Sequence, residues 1–124
     1  MAVPILKQGS FLIASIQSAL TDTDVLQLRD DVMAQVTRHR SRGIIVDVTA
    51  LDVMDSFVSR SLQGIARMTR LRGAETVIVG IQPEVAFAMV QLGMSFEDVL
   101  TALDLEEGLA LLQRDRKEPG DVGS

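Results

Sequence analysis

Ser56 is the residue in this chain whose position best suits covalent modification. It follows Asp55 and precedes a run of apolar residues at helical spacing, so it is predicted to lie at the start of a helix. A helix N-terminus carries unpaired backbone N–H groups and the positive end of the helix dipole, which together favour a phosphate group. The same pattern fits a purely structural cap formed by Asp55 or Ser56, and from spacing alone that is the simpler interpretation.

A serine that acts as a nucleophile needs a neighbouring base, and the sequence offers none to Ser56. The one histidine, His39, is predicted at the far end of another helix, between Arg38 and Arg40. No lysine follows Ser56 in a Ser-x-x-Lys pattern, and no glycine-flanked nucleophile elbow surrounds it. Ser56 is therefore predicted to react only as a substrate, with the base supplied by another protein.

Three aspartates, Asp47, Asp52 and Asp55, closely follow a predicted strand and raise the question of a metal site. A phosphoreceiver-type magnesium site would add acids after an earlier strand and a lysine after a later one. The first strands carry no acid, and the segment 76–81, which contains the later strand, is followed by Gln82 and a proline. A small metal-dependent enzyme using the three aspartates is therefore an unfavoured alternative. With no GxxxxGK[ST] or GxGxxG motif either, no metal or other cofactor is expected.

Three arginines follow Ser56 on one side of the predicted helix: Arg60, Arg67 and Arg70. The simple interpretation is a solvated helix face, and the alternative is an electrostatic docking patch. Arg60 lies one turn after Ser56, where a guanidinium can pair with a phosphate. Arg60 and the three aspartates are therefore predicted to surround Ser56 if that serine acts as a phosphorylation switch.

The elements that must position these residues alternate between strands and helices. β-branched and apolar runs predict strands, and apolar residues at helical spacing predict helices. The strands are predicted at 5–7, 11–16, 44–48 and 76–79 with a short one near 99–100, and the helices at 25–40, 56–72, 83–92 and from 104 onward. This order predicts an α/β fold: a mixed, mostly parallel sheet with an antiparallel edge strand, flanked by about four helices.

The third predicted helix is apolar almost all round, since only Gln91 is polar between Val85 and Leu92. A helix that covers a sheet needs one apolar face, so a second apolar face would be covered either by a neighbouring segment or by a partner chain, and the partner chain is favoured. Val85, Met89 and Val90 are the candidate interface residues. Helical spacing groups Val85 with Met89 and Leu92, and Val90 with Ala86, but it does not indicate which group faces the sheet.

Composition narrows the classes of function. A chain of 124 residues, 47% hydrophobic and 23% charged, fits one globular domain, predicted at 1–115 with a flexible charged tail at 116–124. The net charge of -5 and the absence of Trp and Tyr argue against nucleic-acid binding. No apolar run approaches the roughly 20 residues of a membrane helix, and no secretion signal is expected. The absence of cysteine is compatible with a cytoplasmic protein.

The block from Val46 to Phe57, VDVTALDVMDSF, resembles the signature of STAS domains, named for sulfate transporters and anti-sigma-factor antagonists. The similarity is closest to the RsbS-like stressosome branch of that family. Sporulation-type antagonists tend to have Asp-Ser-Ser-Gly at this point, whereas Phe57 and Val58 follow Ser56 here. Further matching segments are found at 3–7, 80–83 and 101–106.

The resemblance implies a STAS fold and a non-enzymatic switch that is phosphorylated on Ser56, with Ser59 and Ser61 as secondary candidates. It implies assembly with an RsbR-type paralogue into a large shell, and a homo-oligomer or dimer of the chain itself. The shell would sequester an RsbT-type serine kinase, release it on phosphorylation to regulate a stress response, and be reset by an RsbX-type phosphatase. The alternative is a direct anti-sigma-factor antagonist that binds an anti-sigma kinase without a shell.

Overall fold

The structure, a computed structural model, describes residues 3–93 and 99–122. Within these ranges the chain alternates strands and helices as the sequence predicts. The strands are β1 (Ile5–Gln8), β2 (Phe11–Ser15), β3 (Gly43–Asp47), β4 (Glu75–Val79) and β5 (Leu100–Ala102). The helices are α1 (Asp22–His39), α2 (Ser56–Leu71), α3 (Pro83–Gln91) and α4 (Leu105–Val122).

The five described strands form one mixed sheet in the order β1-β2-β3-β4-β5. β1 and β2 pair antiparallel around a tight turn in which Gly9 has a φ of 61°. All later neighbours pair parallel, because a helix carries the chain back between them. The predicted α/β fold with an antiparallel edge strand is therefore confirmed, and β5 lies one or two residues beyond its predicted position.

Helices cover both faces of the sheet. Buried residues of α1, α2 and α3 pack on one face against alternate strand residues such as Leu12, Ile44 and Ile78. On the other face, α4 packs through Leu112 against strand residues that include Ile45. The three central strands, β2, β3 and β4, thus alternate between two apolar layers, which explains why β3 and β4 contain continuous apolar runs.

α4 approaches the sheet closely because glycines lie at the points of contact. A Cβ atom added at Gly108 would lie 2.7 Å from Val79 Cγ1, and one added at Gly43 would lie 2.8 Å from Leu112 Cδ1. The helix continues to Val122, through most of the segment 116–124 for which a flexible tail is predicted. α4 thus extends past residue 115, while the domain boundary there and the flexible tail at 116–124 remain predictions.

The orientation of α3 corrects part of the predicted interface. Val85 and Met89 are 3% and 6% exposed and belong to the core between helices and sheet. They are therefore inaccessible to a partner while the domain is folded. Val90, in contrast, is 75% exposed, and Phe87 and Leu92 are exposed beside it in the sequence. An outward apolar face does exist on α3, but Val90 is its only member among the three predicted residues.

Candidate functional site

The start of α2 presents Ser56 to solvent. Asp55 is the N-cap residue, and its Oδ1 accepts a hydrogen bond from the Val58 backbone N–H at 2.8 Å. The Asp55 carbonyl accepts the next one, from Ser59 N at 3.0 Å. Ser56 is the first helical residue and is exposed. Of the two caps that the sequence allows, Asp55 is the one used, which leaves the Ser56 hydroxyl free of that structural task.

The segment that leads from β3 to Ser56, residues 48–55, is here termed the switch loop. Three of its side chains, Val48, Leu51 and Met54, are buried in the core, while the residues between them face solvent. Backbone hydrogen bonds add to this anchoring: Val48 N donates to Val79 O at 3.0 Å, and Leu51 N donates to Val48 O at 2.9 Å. The loop therefore has a defined path although it contains no regular secondary structure.

Asp47, Thr49, Gly80 and Gln82 form a second set of contacts, here termed the Thr49 clasp. Oδ1 of Asp47 accepts hydrogen bonds from Thr49 N at 2.9 Å and from Thr49 Oγ1 at 2.6 Å. Nε2 of Gln82 donates to the Thr49 carbonyl at 2.6 Å. The sequence pattern indicates Asp47 but not the contacts of Thr49 and Gln82. A glutamine placed directly before the first-turn proline of α3, where better capping residues are usual, is the available signal.

The three aspartates of the alternative metal site do not converge. Asp47 is engaged with Thr49, whereas Asp52 and Asp55 are exposed, and Asp55 caps α2. Among the residues that the structure describes, no group of three or more histidine, cysteine, aspartate or glutamate side chains has a geometry suited to a metal ion. Nothing in this arrangement supports the metal-dependent alternative.

The two secondary serine candidates differ in accessibility. Ser59 is only 3% exposed, and its buried Oγ has no hydrogen-bond partner among residues 3–93 and 99–122. A kinase cannot reach that hydroxyl in the folded domain, because the residue is buried on the same helix as the core residues Leu62 and Val58. Ser61 is half-buried and lines a shallow groove between α1 and α2. Ser59 is therefore withdrawn as a candidate, and Ser61 remains one.

The arginines of α2 are all exposed. Arg70 NH2 pairs with Glu75 Oε1 at 3.1 Å, which fastens the end of α2 to the start of β4. In the described part of the chain, no hydrogen bond or ion pair engages Arg60. One turn after Ser56, Arg60 is thus available for a negative group at the start of α2.

An open groove runs beside the switch loop. It has a volume of about 370 Å³ and lies between the loop that follows β2 and the switch loop. Its lining residues are Gln17, Ser18, Ala19, Ala50, Leu51, Asp52 and Val53. Val53 is 73% exposed at this position, so the surroundings of Ser56 offer both an apolar side chain and the carboxylate of Asp52 to a visiting protein.

The chain is similar in sequence to proteins that are already known. The curated relative "RsbT co-antagonist protein RsbRA" of Bacillus subtilis is 32% identical over 93 residues, which cover 73% of this chain and 34% of RsbRA. The chain thus spans about a third of the length of that relative. Within residues 3–93 and 99–122, none of the helices combines the length and the hydrophobicity that a membrane span requires.

Two solved structures match over nearly the full length of both chains. A serine-to-glutamate variant of RsbS from Moorella thermoacetica is 33% identical with a TM-score of 0.80, covering 93% of this chain and 97% of that one. A chain from a structure of the stressosome, described as a signal integration and transduction hub, is 32% identical with a TM-score of 0.75, covering 92% and 99%. The family model of the STAS domain matches residues 2–108. The resemblance drawn from residues 46–57 is thereby confirmed, and the chain belongs to the STAS domain family.

Proposed function

We propose that this STAS protein is a non-enzymatic stressosome subunit that is switched by phosphorylation of Ser56. The observation that carries the proposal is that Ser56 is an exposed residue at the first position of α2, with the capping role taken by Asp55. A phosphate at that position meets the unpaired N–H groups and the positive end of the helix dipole. The similarity to RsbS and to a stressosome chain supports the same assignment.

Phosphorylation changes the charge of a surface that is already partly acidic. A phosphoserine adds about -1.5 to -2 charge at neutral pH, next to the exposed carboxylates of Asp52 and Asp55. Arg60 offsets part of this charge and orients the phosphate from one turn away. A kinase that docks on the unmodified surface loses complementarity. A change of about 1–3 kcal/mol in its binding free energy is enough to redistribute it.

The proposed partners follow from this role. An RsbR-type paralogue forms the shell with this chain in the cytoplasm, an RsbT-type kinase is held there and modifies Ser56, and an RsbX-type phosphatase removes the phosphate. The exposed apolar face of α3, formed by Phe87 and Val90 one helical turn apart, is proposed to contact a neighbouring STAS domain of the shell. Residues 85–92 contain no charged side chain, so this face suits contact with other subunits better than the acidic remainder of a chain of net charge -5.

The test is phosphate mapping on the intact protein. Wild type, Ser56→Ala and Ser61→Ala are each incubated with an RsbT-type kinase and ATP, and intact mass and modified peptides are measured. Wild type and Ser61→Ala are expected to gain one phosphate on Ser56, and Ser56→Ala none. A phosphate that maps to Ser61, or no phosphate on wild type, would contradict the proposal.

Stability separates loss of the acceptor from loss of the fold. Because Asp55 is the cap, Ser56→Ala is expected to change the free energy of unfolding by less than about 0.5 kcal/mol, as is usual at surface positions. Asp55→Ala, in contrast, removes the cap and is expected to cost about 0.5–2 kcal/mol. Urea unfolding of both variants measures this difference.

Sedimentation with an RsbR-type partner then separates a very large shell from the small complex of a direct anti-sigma-factor antagonist.

A further inference from the structure

The side chain of Gln82 joins two loops that are far apart in the sequence. Its Nε2 donates to the Thr49 carbonyl at 2.6 Å, across a separation of 33 residues. Gln82 is the N-cap residue of α3, yet its side chain makes no capping hydrogen bond to that helix. The amide is therefore used on the switch loop and not on the helix that it precedes.

Thr49 is held from two sides within the clasp. On one side, Oδ1 of Asp47 accepts from both the backbone N–H and the hydroxyl of Thr49. On the other side, Gly80 has a φ of 80° and approaches so closely that an added Cβ would overlap the Thr49 hydroxyl. A side chain at position 80 is thus excluded both by conformation and by space. The loop between β4 and α3 thereby contacts the exposed Thr49 through both Gly80 and Gln82.

The clasp and the cap hold opposite ends of the switch loop. Thr49 lies near its beginning, and Asp55 at its end hydrogen-bonds to the first turn of α2. Between them, two side chains are buried and three face solvent: Leu51 and Met54 are buried, while Ala50, Asp52 and Val53 are exposed. Phosphoryl transfer depends mainly on holding the attacking oxygen in line with the phosphate, so the position of an acceptor serine matters as much as its exposure.

We propose that Gln82 is a positioning residue for the phosphorylation of Ser56, acting through Thr49 by keeping the switch loop in the conformation that a kinase recognises. The inference rests on the proposed function. Without the Gln82 hydrogen bond, the loop spends part of its time in other conformations. The kinase then binds only the competent fraction, so the apparent affinity falls in proportion, whereas the transfer step within the bound complex is unchanged.

The experiment compares Gln82→Ala and Gln82→Glu with wild type. The Gln82→Glu substitution keeps the size of the side chain, but the ionised carboxylate cannot donate to the Thr49 carbonyl. Gln91→Glu is the matched control, since Gln91 is exposed at the other end of α3 and receives the same charge. Three quantities are measured: the free energy of unfolding in urea, amide hydrogen exchange of residues 49–56, and KM and kcat for phosphorylation of Ser56 by an RsbT-type kinase.

Both Gln82 variants are expected to raise exchange in residues 49–56 and to raise KM by roughly 2- to 10-fold, the range that loss of one neutral hydrogen bond gives. The kcat of both Gln82 variants should equal that of wild type. The Gln91→Glu control should match wild type in all three measurements. If Gln82→Glu behaves as wild type, the side chain acts by packing and the inference is wrong. Unchanged exchange or unchanged KM in both variants also overturns it. Wild-type protein that gains no phosphate on Ser56 would overturn the proposed function instead.

Discussion

The hydroxyl of Ser59 is buried in α2 without a hydrogen-bond partner among the described residues. An unpaired buried hydroxyl costs about 1–3 kcal/mol of desolvation, so its removal should not harm the fold. Ser59→Ala is expected to raise the free energy of unfolding relative to Ser61→Ala, which gives the same gain in helix propensity at a half-buried position. Urea unfolding of the two variants provides the measurement. A Ser59→Ala protein less stable than Ser61→Ala would mean that the Ser59 hydroxyl is stabilising.

At Ser56, charge and hydrogen-bonding capacity can be separated by substitution. Ser56→Asp supplies one negative charge and fewer acceptor oxygens than a phosphate, so it is expected to weaken binding of an RsbT-type kinase only partly. Ser56→Asn introduces a side chain of the same size as Ser56→Asp without the charge and should bind as the unmodified protein does. Isothermal titration of the kinase against wild type, the two variants and authentic phosphoserine protein gives the comparison. Equal affinity of all four forms would remove the electrostatic account of release.

Among the elements, α3 has one side buried in the core and one exposed apolar side. Met89→Glu places a charge in the core and is expected to unfold the domain, because an unpaired buried charge costs several kcal/mol. Val90→Glu places it on the exposed face and should leave the circular dichroism spectrum unchanged while preventing assembly with an RsbR-type partner in sedimentation. Ala34→Glu, exposed on α1, controls for the added charge. Normal assembly of Val90→Glu would exclude the α3 face as an interface.

The same helix illustrates where sequence reasoning reaches its limit. An amphipathic helix such as α2 reveals its buried side through its periodicity, which groups Val58, Leu62 and Ile65 correctly. α3 is apolar on nearly every side, so the periodicity of its sequence does not show which side faces the sheet. For that reason the predicted interface wrongly includes Val85 and Met89, which lie in the core. Likewise, aspartate and serine are both good N-cap residues. The sequence does not show which of the two side chains accepts the capping hydrogen bond at the start of α2, whereas the structure does.

For the whole molecule, the alternation of strands and helices is sufficient to predict one sheet whose strands pair mostly in parallel. The position of Ser56 at the start of α2 follows from the same pattern, and its proposed role comes from the family resemblance. The Thr49 clasp could not be predicted in this way. Its hydrogen bond from Gln82 depends on the backbones of two loops approaching each other across 33 residues, which local patterns do not encode.

The strand order has a consequence for the kind of site that this protein can offer. Along the five described strands each parallel connection advances by one position in the same direction, and α1, α2 and α3 all lie on one face. In folds whose strand order reverses, neighbouring helices diverge to opposite faces and leave a crevice in which small ligands bind. No such reversal occurs among these strands. The carboxyl end of the sheet, where β3 leads to Ser56, therefore lacks that kind of crevice, which agrees with the proposed contact of this surface with another protein.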